Sequence, residues 1–460
     1  MTTMTTFPRT TPAALGIDPG GLTALLDALE STPGVEPHSI MLLRHGQVVA
    51  EGWWQPYAAD RVHLLYSLSK SFTAAGVGIA VRAGLIDLDA TVLSYFPELD
   101  ADVTDERSRR IRVRHLLAMA SGHREETIDR ARALDPTNTV RGFLLLPPDE
   151  EPGTVFAYNQ PCTYTLAEIV RRVTGGSLVA WLRPHLLDPL GIDDLAWRRD
   201  DTGAELGYSG CYAPTDAVAK LGQLYLQGGV WDGERILDAD WVEQATSTQV
   251  ANPDEANPDW SQGYGFQFWM ARHGFRGDGA YGQFCVVLPE QDVVLAMTGQ
   301  SLDMQAVLDA VWEHLLPAVD RASDAASASA LEARLTSLGL PPVQGGRLPE
   351  HLADVELRLR PRGILDAVTF ARGADGIRLT ITDDGRSESV PLGEGRWAVE
   401  GALAASAATE PEGSVLVAVR FLETPHLLHL RVDLDAGTVG AKWKTEPLHD
   451  GPMTLRRPAG

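Results

Sequence analysis

The feature that most restricts the fold of this chain is the long gap between its first and later strand-like segments. Residues 39–44 and 47–52 alternate on either side of His45 and Gly46 and read as a β-hairpin. Comparable segments return only at 264–270, 284–288 and 292–298. The stretch between about 100 and 250 reads as helices punctuated by Pro/Gly loops, including helices at 163–174 and 215–226, the latter with Thr215 as its N-cap. A helix at 18–31 precedes the hairpin, and an amphipathic helix at 303–316 follows the last strand. Strands from both ends of such a chain must meet in one sheet, with the intervening helices set aside as a lobe. The expected fold is α+β: an antiparallel sheet flanked by terminal helices, with an inserted helical lobe.

Beyond this unit the pattern changes. Residues 320–344 are rich in Ala, Ser and Pro, with a short helix at 329–338. After about 350, short alternating strands follow at 355–359, 377–381, 415–419 and 427–432, separated by turns such as Asp383-Asp384-Gly385. The expected division is a first domain over 1–320, a linker over 321–348, and a β-barrel or sandwich, lipocalin-like, over 349–460. A length of 460 residues accommodates such an arrangement.

The formal net charge is -23, from 62 acidic and 39 basic side chains. A surface of that sign repels nucleic acid and anionic lipid, so neither is expected as a partner. Cys162, Cys211 and Cys285 lie far apart without metal-site or disulfide spacing. The stretch 1–16 lacks an apolar run of signal-peptide length, and no segment is long enough to span a membrane. The expected location is the cytoplasm. No P-loop, dinucleotide fingerprint, zinc-protease motif or nucleophile elbow occurs, so neither a metal nor a cofactor is expected.

The chemistry concentrates around Ser67 and Lys70, in the run Tyr66-Ser67-Leu68-Ser69-Lys70-Ser71-Phe72-Thr73 at the start of a Gly/Ala-rich apolar helix. Three-residue spacing puts both side chains on one helix face, and the helix N-terminus favours a developing alkoxide on Ser67. Lys70 can act as a base only when neutral. That demands about 4 kcal/mol, within what burial supplies. Taken alone, this spacing is equally compatible with a capped helix bearing a surface lysine.

The wider text decides between the two. With Gly84-Leu85-Ile86-Asp87-Leu88-Asp89-Ala90 and the stretch Ile111 to His123, in that order, it resembles the serine β-lactamase-related family of class C β-lactamases, penicillin-binding proteins, family VIII esterases and 6-aminohexanoate-dimer hydrolases. The resemblance spans about residues 15–320. It implies that Tyr158, in the run Pro152-Gly153 to Gln160, shares the proton with Lys70. The family's following asparagine is replaced by Gln160, so either Gln160 or the neighbouring Asn159 fills that role.

The resemblance also implies a site-lining strand at Arg276-Gly277-Asp278-Gly279-Ala280, with the amides of Ser67 and Ala280 forming the oxyanion hole and Asp278 and Gly279 beside substrate. Here the sequence departs from the family: Gly277 stands where a cation normally grips a substrate carboxylate, with Arg276 adjacent. That departure argues against β-lactamase and DD-peptidase activity. Gly277 and Gly279 can equally be glycines that packing requires. Trp53, Trp54, Tyr264, Phe266 and Trp269 are candidates for an aromatic pocket wall or for core. His115 and His123 read as structural.

The expected activity is cleavage of a small or short peptide-like ester or amide through an acyl-enzyme on Ser67. Three alternatives stand beside it: a penicillin-binding-protein-type thioesterase that cyclises peptides, a D-aminopeptidase, and a non-catalytic scaffold. For the C-terminal β-unit two roles are open, covering one side of the cleft or stabilising a homodimer.

Overall fold

The computed structural model describes residues 6–322, 325–353, 355–359, 364–374, 376–448 and 455–458. The first five residues of the N-terminal stretch and several positions within 349–460 lie outside the described residues.

Helix α1 (Pro19–Ser31) is capped by the Asp18 carboxylate and leads into β1 (Pro37–Arg44) and β2 (Gln47–Trp53). Helix α2 (Ser69–Arg82) follows, the helical lobe contains α3 (Gln160–Thr174), and α4 (Thr215–Leu226), expected in the lobe, lies instead against the sheet. Strands β3 (Trp269–Met270), β4 (Phe275–Gly279), β5 (Gln283–Leu288) and β6 (Val293–Gly299) complete an antiparallel sheet in the order β2-β1-β6-β5-β4-β3. The two ends of the first unit therefore meet at the β1–β6 pairing, which aligns Leu42 with Leu295.

Both faces of this sheet are covered, so its central strands are apolar on both sides. Ile40, Leu42 and Leu295 pack toward the layer of α1 and α5 (Met304–Ala310), while Met41, Leu43 and Val294 pack toward α2 and α4. The period-two alternation of a strand produces this division. Helix α2 is buried along nearly its whole length, as its all-round small and apolar sequence requires.

Three expectations need correction. The stretch 264–268 does not continue as a strand: Gln267 takes a left-handed conformation at φ 61°, and its side chain is buried against the carbonyls of Leu116 and Leu117 and the Thr163 hydroxyl. Thr215 is not a cap but the first residue of α4, and its hydroxyl meets that of Ser39 at 2.7 Å. The closing helix leaves regular α-geometry after Ala310, passing into a wider turn over Val311–Leu315.

After α6 (Ala325–Thr336) come β7 (Val355–Arg358), β8 (Ala367–Gly373), β9 (Gly376–Asp383) and β10 (Arg386–Pro391), forming one antiparallel sheet. A second sheet contains β11 (Ala398–Glu400), β12 (Leu403–Thr409), β13 (Val415–Phe421), β14 (Leu427–Asp433) and β15 (Thr438–Trp443). Within each sheet every strand pairs with its neighbour in sequence, β10 approaches β11 and β7 approaches β15, so the meander curls back on itself around a core of its own, including Phe370, Ile381, Val417 and Leu430.

The β-unit docks onto the first unit through a buried polar seam. Glu36 pairs with Arg420 at 2.8 Å and with Lys444. The rings of His38 and His63 meet at 3.1 Å, and Leu64 donates its N–H to the Glu423 carbonyl at 2.7 Å. Burial lowers the titration of His38 and of His426 to about 4 and pushes His63 down as well.

The sign of the consequence follows from linkage. The unfolded chain takes up protons on His38 and His426 below about pH 6.5, whereas the folded chain does not until about 4. Their contribution to stability is complete above 6.5 and is lost as the pH falls from there toward 4. His426 alone accounts for about 2 kcal/mol of loss at pH 5. Urea denaturation at pH 7.5 and pH 5 checks this, and an unchanged midpoint would refute it.

Candidate active site

Ser67 sits in a single tight turn, Tyr66–Leu68, that feeds directly into α2. Tyr66 is left-handed at φ 48°, unusual for an aromatic residue, and this reversal presents Ser67 to a cleft instead of the core. One turn further, Lys70 is buried. Its Nζ lies 3.0 Å from Ser67 Oγ and donates to the Tyr208 carbonyl at 2.8 Å. Burial brings the lysine down to about 7, with Glu126 and Asp278 opposing the shift.

Tyr158 arrives on the loop before α3. Its ring stacks on Trp269 at 5.2 Å, and Lys70 Nζ lies 4.6 Å from its centroid. Burial, with the charge of Asp278 adding to it, raises the tyrosine well above its usual range, while a hydrogen bond with Ser67 works the other way. At neutral pH the pair therefore comprises an amine that can be neutral and a phenol that keeps its proton.

Strand β4 passes close behind the Ser67 turn. A side chain at Gly277 would meet Leu68 Cδ1 at 2.5 Å and Ser71 Oγ at 2.6 Å; one at Gly279 would collide with the Leu65 carbonyl. Glycine is what lets strand and turn approach this closely. Beyond Arg276 the outer edge of β4 is not paired by β3, which begins at Trp269 opposite Arg276.

On the opposite side of the same strand, Asp278 faces the cleft and receives Arg276 Nε at 3.0 Å. Arg276 is fully buried, its guanidinium 4.2 Å from the Trp260 ring centroid and bonded to the carbonyls of Asp259 and Met270. Its Nε and Nη1 are thus committed to internal partners, while Nη2 is buried without a hydrogen-bond partner among the described residues.

The cleft has a volume of about 750 Å³ and is bordered by Ser67, Tyr158, Trp260, Trp269, Asp278 and Ala280, with Glu255 and Asp303 at its rim. Of the sequence-derived candidates, the structure brings Ser67, Lys70, Tyr158, Asp278 and Ala280 together, with Gly279 packed behind them. Asn159 and Gln160 are set elsewhere. Asn159 Oδ1 accepts from the N–H and hydroxyl of Thr127, each at 2.9 Å, and the backbone of Gln160 donates to Glu126. Neither borders the cleft among the described residues.

Of the aromatic candidates, Trp269 lines the cleft, Tyr264 packs beneath it, Phe266 joins the lobe core, and Trp54 is buried with its indole on Glu30. Sequence reasoning missed Trp260, Glu255 and Asp303, which sit in polar loops without periodicity. It also missed the Tyr208 carbonyl, a backbone acceptor that carries no residue-type signal. His123 is buried between Ser121 and the Leu146 carbonyl, and His115 closes a cap on the Arg112 amide, both away from the cleft.

The chain is similar to several known proteins. The 6-aminohexanoate-dimer hydrolase of Paenarthrobacter ureafaciens is 30% identical over 316 residues, 59% of this chain and 79% of that protein. Lovastatin esterase of Penicillium rubens is 30% identical over 185 residues, 35% of this chain and 46% of that protein. In fold, the octameric penicillin-binding protein homologue from Pyrococcus abyssi superposes with a TM-score of 0.50 at 16% identity, covering 89% of this chain and 97% of that one, so the likeness extends into the β-unit. The Beta-lactamase family matches residues 22–317, well over half of the chain, and the protein belongs to that family of serine hydrolases.

Proposed function

We propose that the protein hydrolyses small, linear carboxylic esters or amides through an acyl-enzyme on Ser67. The observation that carries this reading is the buried Lys70 amine 3.0 Å from Ser67 Oγ, held near neutrality by its surroundings. Neutral Lys70 takes the Ser67 proton as the hydroxyl attacks the carbonyl carbon. The oxyanion is held by the amides of Ser67 and Ala280. Tyr158, which retains its proton, delivers one to the leaving alcohol or amine and is reprotonated through Lys70. Water then enters by the reverse route and releases the acid.

The charge of the cleft narrows the substrate. Its rim carries Glu255 and Asp303, and Arg276 is neutralised by Asp278, so a substrate carboxylate finds no free cation beside the strand. Neutral acyl groups are favoured over the carboxylated substrates of β-lactamases. The 6-aminohexanoate-dimer hydrolase and lovastatin esterase relatives support linear amides and esters as the bond types cleaved. Cys162, Cys211 and Cys285 are free and buried, which suits a reducing cytoplasm, and no helix among the described residues is long and apolar enough to cross a membrane.

The test is turnover of p-nitrophenyl butyrate and short linear amides by the purified protein between pH 5.5 and 9. Because Lys70 must be neutral to act, kcat/KM is expected to rise with pH through an apparent value of about 7 and then level off. Below it the slope approaches tenfold per pH unit. Absence of turnover on every ester and amide tried, or a preference for benzylpenicillin, would count against the proposal.

A further inference from the structure

The β-unit contributes no residue to the cleft wall among the described residues, yet it reaches the site from behind. Two non-glycine residues there adopt left-handed backbone: Tyr66 (φ 48°), which immediately precedes Ser67, and Tyr281 (φ 68°), which immediately follows Ala280. Each is unfavourable for an aromatic residue and persists only where its surroundings hold it. These are the chain neighbours of the two residues whose amides form the oxyanion hole.

What holds both is the β-unit. The imidazole of His426, in the loop between β13 and β14, meets the Tyr66 ring edge-on at 5.8 Å and the Tyr281 ring at 5.5 Å, and the two tyrosines meet each other at 5.6 Å. His426 Nδ1 lies 3.0 Å from the Thr445 carbonyl, which can only accept, so Nδ1 carries the proton. Nε2 is then an acceptor, and it receives the Tyr66 hydroxyl at 2.5 Å. The Tyr281 hydroxyl donates to the Glu446 carbonyl at 2.5 Å, just past β15. Gln300, at the end of β6, donates to the Thr445 hydroxyl at 2.6 Å and ties the same loop to the central sheet.

We propose that His426 is a positioning residue for catalysis: by clamping Tyr66 and Tyr281 together it sets the directions of the Ser67 and Ala280 amides, so that the β-unit completes the oxyanion hole without touching substrate. This rests on the reading of Ser67 as the nucleophile. A loosened clamp leaves substrate binding in the cleft intact but misaligns the donors that act on the tetrahedral oxyanion. The loss therefore falls on kcat and on the binding of tetrahedral anions, not on KM.

The test uses the full-length chain and the variants His426→Phe, Tyr66→Phe and the double variant. His426→Phe keeps a ring but removes the acceptor, and Tyr66→Phe removes the same hydrogen bond from the other side, so one variant remains informative should the other fail to fold. The expected result is a fall of about 10- to 100-fold in kcat for p-nitrophenyl butyrate, with KM unchanged within about twofold and inhibition by butylboronic acid weakened in step with kcat. Because Tyr66→Phe removes the bond to His426 together with the one its hydroxyl accepts from the Leu448 N–H, the double variant should lose no more than Tyr66→Phe alone. Wild-type kcat in both single variants, or a kcat loss with undiminished boronate affinity, would overturn the positioning role while leaving the hydrolase reading in place. A wild-type protein without any turnover would overturn both.

Discussion

Replacing Ser67 with alanine is expected to remove all labelling by a fluorophosphonate probe and to lower kcat/KM for p-nitrophenyl butyrate by at least about 10⁴-fold. The magnitude follows from what the hydroxyl does in the geometry described. It lies 3.0 Å from Lys70 Nζ, and it stands on a left-handed turn that aims it away from the core. Removing one oxygen leaves Lys70 buried on the Tyr208 carbonyl and Tyr158 stacked on Trp269. The fold should be retained, and the loss should appear in chemistry and not in thermal stability. Intact-protein mass gives the clearest measurement: one adduct on wild type and none on Ser67→Ala. An adduct on the variant would move the nucleophile elsewhere, and equal turnover by both proteins would remove Ser67 from the mechanism.

The second large effect is expected at a residue with no functional atoms of its own. Gly279→Val should cost roughly 3 kcal/mol or more of stability, and it should reduce activity by more than about 100-fold even where the protein still folds. A Cβ at Gly279 collides with the Leu65 carbonyl and lies 3.1 Å from the Leu68 amide, both backbone groups of the turn that carries Ser67. Side chains can rotate aside, but these atoms cannot move without shifting β4 away from the turn. Such a shift separates the Ala280 amide from the Ser67 amide, the spacing on which the proposed oxyanion binding depends. Gly282→Ala is the comparison: it is left-handed at φ 87° but faces Ser301, away from the Ser67 turn. It should destabilise through backbone strain while sparing the kinetics of the folded fraction. Equal kinetic damage from both would mean that Gly279 matters only to folding. Thermal midpoints and kcat/KM on the same preparations separate these outcomes.

Both predictions depend on a site that was only partly legible in the amino-acid sequence. Ser67, Lys70 and the small-residue helix behind them could be read because their relation is local: three residues on a helix start set the distance between a hydroxyl and an amine. The hairpin at β1–β2, helix α4 and the return of strands after residue 270 were visible for the same reason, since alternation and helical period are properties of neighbouring residues. Arg276 could be noticed as the nearest cation to the vacant position at Gly277, but not judged. Whether it reached substrate depended on Asp259, Trp260 and Asp278, and the fold spends its charge internally. Gln160 and Asn159 looked interchangeable in sequence; in the structure Thr127 and Glu126 take the side chain of the one and the backbone of the other.

By itself, then, the sequence determined the order of elements, the meeting of both ends of the first unit in one sheet, and the Ser67–Lys70 pair. Each is set by spacings of two to four residues, which the backbone geometry of strand and helix converts directly into position. The tertiary structure alone decided the left-handed backbone at Tyr66 and Tyr281, the near-neutral Lys70, and the docking of His426 behind the nucleophile. Those features arise from contacts between residues up to several hundred positions apart. Their energies depend on burial and on partners that no local pattern encodes.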